Sequence, residues 1–131
     1  MTTKEIMIGD WVIGITPNGS HDVIKISTID KVSIVDTDRH SWGVDTLIPI
    51  PLTEEILKAN GFEKVIGYDY YYHIPAMWGI VITINNEMII SHWEDHNDNV
   101  YVEFGCTYVH QVQHIMRLYG LTDMADNFKV E

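Results

Sequence analysis

The sequence is poor in several features that assign a small protein to a class. Its 131 residues contain one cysteine, Cys106, which excludes an internal disulfide and favours a reducing compartment. No apolar run approaches the roughly 18 residues that span a bilayer. Residues 1–5 also lead into strand-like sequence without the apolar core of a secretory signal. These absences predict a cytoplasmic protein with no membrane partner.

Positive charge is also scarce. Eight Lys and Arg residues stand against 19 Asp and Glu residues, which gives a formal net charge of −11. Such a surface repels phosphate backbones, so direct nucleic-acid binding is disfavoured. The same acidity suits a mimic of DNA that inhibits a DNA-binding host enzyme, and this alternative stays open.

The hydrophobic residues that are present predict an α+β fold with two halves. Residues 1–50 contain short apolar segments at 7–15, 23–29, 32–35 and 42–50, separated by polar turns. The Gly-Asp-Trp-Val string within the first segment resembles the opening strand of SH3-like barrels. We therefore expect a small SH3-like half-barrel over residues 1–50.

A short capped helix is predicted between the halves. Thr53 is a natural N-cap, and the two glutamates that follow it place negative charge where the helix dipole favours it. Leu52 and Leu57 are spaced as a hydrophobic staple, and Gly61 supplies the left-handed residue that ends the helix.

Residues 51–131 are predicted to pack as one compact domain around an antiparallel meander. Its strands fall at 64–74, 78–84, 87–93 and 99–104, and Asn85-Asn86 is expected to form a two-residue turn that pairs Trp78 with Trp93. Apolar residues then recur at helical spacing from Tyr108 to Tyr119, and Gly120 follows. We expect this helix to cover one face of the meander and the tail after it to be loosely held.

The candidate chemical sites are weak. His110 and His114 have the i, i+4 spacing of a helical metal pair, but Gln111 stands where a zinc protease needs a glutamate base. They are interpreted as solvated, so a metal-dependent hydrolase is the least favoured function. The His-rich turn at 92–96 leaves metal binding open, and Cys106 lacks the partners of a nucleophile. No catalytic residue, metal or cofactor is predicted.

Aromatic residues provide the better candidates. Amphipathic rings are enriched at protein interfaces, and Tyr70 and Tyr71 lie in a tyrosine-rich strand. Together with Trp11 and Trp42 they form the predicted interaction surface. The sequence thus favours a non-enzymatic binding or adaptor protein with a protein partner, and it leaves homo-oligomerisation open.

Two motifs carry a resemblance that spans most of the chain. One is Pro-Leu-Thr-Glu-Glu-Ile-Leu-Lys-Ala-Asn-Gly-Phe at 51–62, and the other is Tyr-Val-His-Gln-Val-Gln-His at 108–114. The chain resembles a group of small uncharacterised proteins encoded in prophages and mobile elements of gut bacteria. The resemblance implies an accessory protein of a phage or integrated element, and it transfers no catalytic residues.

Overall fold

The computed structural model describes residues 1–64, 71–74, 77–84, 91–94 and 100–130. Within them it has two five-stranded sheets and three short helices, so the predicted α+β class is confirmed. No helix of the described part has both the length and the apolar character needed to cross a membrane.

The chain divides into two compact units. The first consists of residues 1–51 and 108–128, and the second of residues 52–107 and the residues from 129 onward. One boundary between the units falls after residue 51. The first unit also contains residues 108–128, which the sequence had predicted to pack with the rest of residues 51–131.

The first unit is built on an antiparallel sheet in the order β4-β3-β2-β1-β5. Four strands form a meander, and one turn of 3₁₀-helix at Val44–Thr46 returns the chain so that the fifth strand pairs with the first. The strands are β1 (Trp11–Ile15), β2 (His21–Ile29), β3 (Ser33–Asp36), β4 (Ser41–Gly43) and β5 (Leu47–Ile48).

Alternation and one irregularity shape this sheet. On β1 and β3 every second residue is buried, as expected for strands with one face on a core. The pairing of β2 with β3 shifts register between Ile26 and Thr28, and such a bulge bends and twists a strand. The core on the inner face is aliphatic and consists of Ile6, Val12, Ile24, Ile26, Ile34, Val44 and Leu47.

Two helices complete the first unit. They are α2 (Val109–Leu118) and α3 (Thr122–Asp126). Helix α2 follows the predicted apolar stripe and is followed by Gly120, whose φ is +80°. The expectation of a loose tail is wrong, because Ala125 and Phe128 are buried at 0% and 2% exposure.

Helix α2 does not have the role that the sequence suggested. We expected it over the second sheet, but it belongs to the first unit, where its side chains bond to residues 9–11. The periodicity defines an apolar face and cannot say which sheet that face meets. Hydrogen bonds to residues 9–11, which lie 102 to 104 positions earlier in the chain, help to hold α2 in the first unit.

The second unit contains the linker helix α1 (Glu54–Ala59), and its predicted caps are confirmed. The Thr53 hydroxyl accepts the N–H of Ile56 at 3.2 Å. At the other end Gly61 has a φ of +87°, and the Phe62 N–H donates to the carbonyl of Leu57 at 3.1 Å.

The second sheet has the order β6-β7-β8-β10-β9. Val81 and Ile82 on β8 are consecutive and both buried, so this strand is covered on both faces at these positions. The strands are β6 (Glu63–Lys64), β7 (Tyr71–Ile74), β8 (Met77–Ile84), β9 (Ser91–Glu94) and β10 (Val100–Cys106).

The predicted hairpin between Trp78 and Trp93 is wrong. Strand β10 lies between β8 and β9, parallel to β8 and antiparallel to β9, so Trp93 is opposite Tyr101. The expected turn residues at 85–86 lie outside the described residues. Apolar strands are well suited to parallel pairing, where both faces are covered, and the sequence argument considered only the nearest partner along the chain.

Candidate functional site

The buried carboxylate of Asp36 organises the turn between β3 and β4. Its Oδ1 accepts the backbone N–H groups of Asp38 and His40 at 2.8 and 2.9 Å. Its Oδ2 accepts the indole Nε1–H of Trp42 at 2.9 Å. Arg39 closes the turn with a φ of +68°. The polar turn expected here is therefore present, and the same carboxylate also fixes an aromatic side chain.

This carboxylate is stabilised in its charged form. Asp36 is 3% exposed, and burial alone raises the pKa of a carboxyl group. Hydrogen bonds from Trp42 and from the backbone of His40 and Asp38 outweigh that effect, so the pKa lies below its ordinary value. A negative charge is thereby held at the N–H edge of the indole at neutral pH.

The ring of Trp42 rests on the backbone of β1. A Cβ placed on Gly14 would lie 2.7 Å from the Cε3 and Cζ3 atoms of the indole, so only glycine fits beneath it. Two strands separate β1 from β4 in the sheet, and the contact therefore requires the sheet to curl. Trp42 is packed on the aliphatic core and remains partly exposed.

An open groove of about 510 Å³ lies beside Trp42. Among the described residues that line this Trp42 groove, Asp45 is an exposed carboxylate and none is lysine or arginine. The hydroxyl of Thr46 donates to the Gly43 carbonyl at 2.7 Å, and that of Thr16 donates to the Asn18 side chain. The lining residues are Ile15, Thr16, Pro17, His40, Ser41, Trp42, Gly43, Asp45 and Thr46.

The other predicted interface residues have different surroundings. The indole N–H of Trp11 donates to the Phe128 carbonyl at 2.8 Å, and the ammonium of Lys25 lies 5.9 Å from its ring centre. Trp11 therefore makes contacts within its own unit. Tyr71 is paired with Thr83 in the backbone register, and Tyr70 lies outside the described residues.

The two helical histidines are not the solvated pair that the sequence predicted. His110 is only 6% exposed, and its ring stacks on Tyr108 and meets His114 edge-on. The Nε2 atom of His114 lies 2.6 Å from a carboxylate oxygen of Asp10, which is fully buried. Burial lowers the pKa of His110, and the nearby Asp10 carboxylate opposes that shift only in part.

Asp10 is the centre of this buried polar cluster. Its Oδ1 accepts Nη1–H of Arg117 at 2.6 Å. The backbone N–H of Met7 donates at 2.8 Å to Oδ2, the oxygen that also lies near His114. The helix face that looked polar in sequence is thus turned toward a buried charge 104 residues away. No local pattern in the sequence indicates that partner.

Gln113 was also missed by sequence reasoning. Its amide oxygen accepts the N–H of Trp11 at 3.0 Å, while its nitrogen donates to the carbonyls of Gly9 and Ala125 at 2.9 and 3.0 Å. A fully buried glutamine thereby joins α2 to β1 and α3. The Asp10 cluster and Gln113 therefore have a structural role, since their hydrogen bonds hold helix α2 against residues 9–11 and α3.

The remaining chemical candidates gain no support from the geometry. Burial raises the pKa of the Cys106 thiol to about 12, whereas a nucleophilic cysteine has a lowered pKa. Among the described residues no three His, Cys, Asp or Glu side chains are arranged to hold a metal. Of the His-rich turn at 92–96, residues 95 and 96 lie outside the described residues.

No protein-family model, curated protein or solved structure matches this chain.

Proposed function

We propose that the first unit is a protein-binding module whose Trp42 groove takes an extended segment of a partner protein. The observation that carries the proposal is the fixed indole of Trp42. It is held at its N–H edge by Asp36, supported from below by Gly14, and partly open to solvent at the groove.

Size and rigidity favour a ligand at this position. A volume of about 510 Å³ lies within the range of small binding sites, which is roughly 300 to 1,000 Å³. Tryptophan is among the residues that contribute most to binding energy at protein interfaces. Because its ring is already fixed, a ligand would not have to pay the entropy of ordering it.

The strand order adds support from architecture. A curled meander whose fifth strand returns to the first is compatible with the SH3-like half-barrel expected from the sequence. Small barrels of that kind bind extended peptides along aromatic grooves. We place the module in the cytoplasm as an accessory protein of a phage or mobile element, in line with the resemblance described above.

A selected-peptide experiment tests the proposal. A random library of 12-residue peptides is selected on the intact protein, and the bound peptides are mapped by changes in amide chemical shift. We expect the largest changes at residues 15–17 and 40–46. Selection of no peptide, or changes that fall consistently elsewhere, would refute the module.

A groove-filling variant supplies the matched comparison. A side chain at Gly43 meets no atom within 4 Å of its Cβ, and the backbone there has an ordinary φ of −67°. Gly43→Arg should therefore fold and obstruct the groove, reducing peptide affinity by at least about tenfold. The control is Ser27→Arg, an exposed position outside the groove, which adds the same charge and should leave affinity unchanged.

A further inference from the structure

The chemistry of the Trp42 groove indicates which side chain it would hold. We infer that the groove recognises an arginine of the partner segment, with the guanidinium stacked on the Trp42 indole and paired with Asp45. This inference rests on the proposed binding module and adds the chemical class of its ligand.

The indole is a favourable surface for a cation. Tryptophan has the strongest cation–π attraction of the aromatic side chains. Here its N–H donates to the ionised Asp36 at 2.9 Å, which increases the electron density of the ring. The buried carboxylate therefore adds negative potential at the N–H edge of the indole, while the ring remains partly exposed at the groove.

The groups that line the groove include several that can accept hydrogen bonds from a ligand. The hydroxyl hydrogens of Thr16 and Thr46 are already directed to acceptors within the chain. The Asp45 carboxylate is exposed, and no described lining residue is lysine or arginine. The donors left among the described lining side chains are the His40 ring and the Ser41 hydroxyl, whereas a cation would find a carboxylate and an aromatic ring.

A guanidinium fits this combination better than an ammonium. It is planar, so it can lie flat on an indole and still direct N–H groups sideways to a carboxylate. Pairs of arginine and carboxylate are often bidentate, which adds geometric specificity. The formal net charge of −11 would also attract a basic segment over a longer distance.

Isosteric peptides test the inference. The probes are a ten-residue Gly/Ser peptide with one central arginine, the same peptide with lysine or citrulline at that position, and an uncharged proline-rich peptide. Dissociation constants are measured by chemical-shift titration of the intact protein at 150 mM salt, which screens attraction from distant charges. We expect the arginine peptide to bind about five- to tenfold more tightly than its citrulline analogue.

Two matched variants locate the recognition. Asp45→Asn should weaken the arginine peptide several-fold and leave the citrulline peptide unchanged. Asp22→Asn removes the same charge from an exposed residue outside the groove and should change neither. Equal losses in both variants would mean general attraction to an acidic surface and would overturn the inference.

The outcomes separate the two proposals. If the proline-rich peptide shifts the groove residues and the arginine peptide binds no better than its citrulline analogue, the module stands and the arginine is refuted. If library selection also yields no peptide that shifts the groove residues, both proposals fail.

Discussion

Substitution of Asp10 provides the most demanding test of the buried cluster. The carboxylate has no exposed surface, and it accepts hydrogen bonds from Arg117 and from the Met7 N–H while lying 2.6 Å from the His114 ring nitrogen. In Asp10→Asn one oxygen becomes an NH₂ group. That group must face either the Arg117 guanidinium or the Met7 N–H, both of which are donors.

The expected cost follows from the charge that is left behind. The Arg117 side chain is 10% exposed, so loss of Asp10 leaves a nearly buried cation with only a longer ion pair, 3.6 Å to the half-exposed Asp126. Breaking a buried ion pair by removing one member costs about 3–5 kcal/mol. We expect Asp10→Asn to lower the free energy of unfolding by about 3 kcal/mol, which is roughly a 150-fold change in the equilibrium constant.

Hydrogen exchange measures this change within the first unit. The Ile26 amide donates to the Asp10 carbonyl at 2.9 Å in the first unit, and its exchange should accelerate by roughly the same factor. Urea unfolding gives the corresponding shift of midpoint. The exposed Asp22→Asn is the control and should stay within about 0.5 kcal/mol of the wild type.

A double variant distinguishes an unpaired charge from a disturbed backbone. Asp10→Leu with Arg117→Met removes both charges, and such replacements are often neutral or stabilising. The double variant should therefore be more stable than either single variant. An Asp10→Asn cost below about 1 kcal/mol, or additive single effects, would refute the reasoning.

Three further predictions concern other parts of the fold. Gly14→Ala places a methyl group 2.7 Å from the Trp42 ring, so it should cost about 1–3 kcal/mol by urea unfolding and shift the indole N–H resonance; an unchanged resonance would contradict the packing. Because burial lowers the pKa of His110 below 6.5, the unfolded state binds more protons just below pH 6.5, so stability is complete above that pH and falls as the solution is acidified. His110→Gln should reduce this slope in urea midpoints between pH 7.5 and 5.5, with His73, whose pKa burial also lowers, supplying a remainder; an unchanged slope would exclude His110. Finally, Cys106 should react with a thiol reagent at pH 8 only as fast as the fold opens, because burial raises its pKa to about 12; rapid labelling of native protein would contradict this.

Local features of the fold were predictable from sequence. Thr53 and Gly61 cap a helix by contacts within a few residues, and the apolar stripe of α2 is a property of the helix itself. Trp42 could be chosen as a surface aromatic beside a polar turn. Its support by Asp36 and Gly14 depends on the curl of the sheet, which no local spacing encodes.

Long-range choices explain the errors. The hairpin between Trp78 and Trp93 is locally consistent, yet β10 inserts between their strands. His114 was predicted to be solvated because its partner, the buried carboxylate of Asp10, is distant in sequence and contributes no periodic signal. Several strands, sheets or charged groups compete to pack against a given face. The spacing of residues along the chain indicates only the partners that are nearest in sequence.

The discontinuous first unit has a consequence for synthesis on the ribosome. Its residues 1–51 emerge well before residues 108–128, and at about 5–20 residues per second the delay is several seconds. During that time the newly made Asp10 has neither Arg117 nor His114 to meet. The Asp10 carboxylate of the nascent chain therefore has no α2 partner during this interval. The first unit can reach its native state only after α2 has left the exit tunnel.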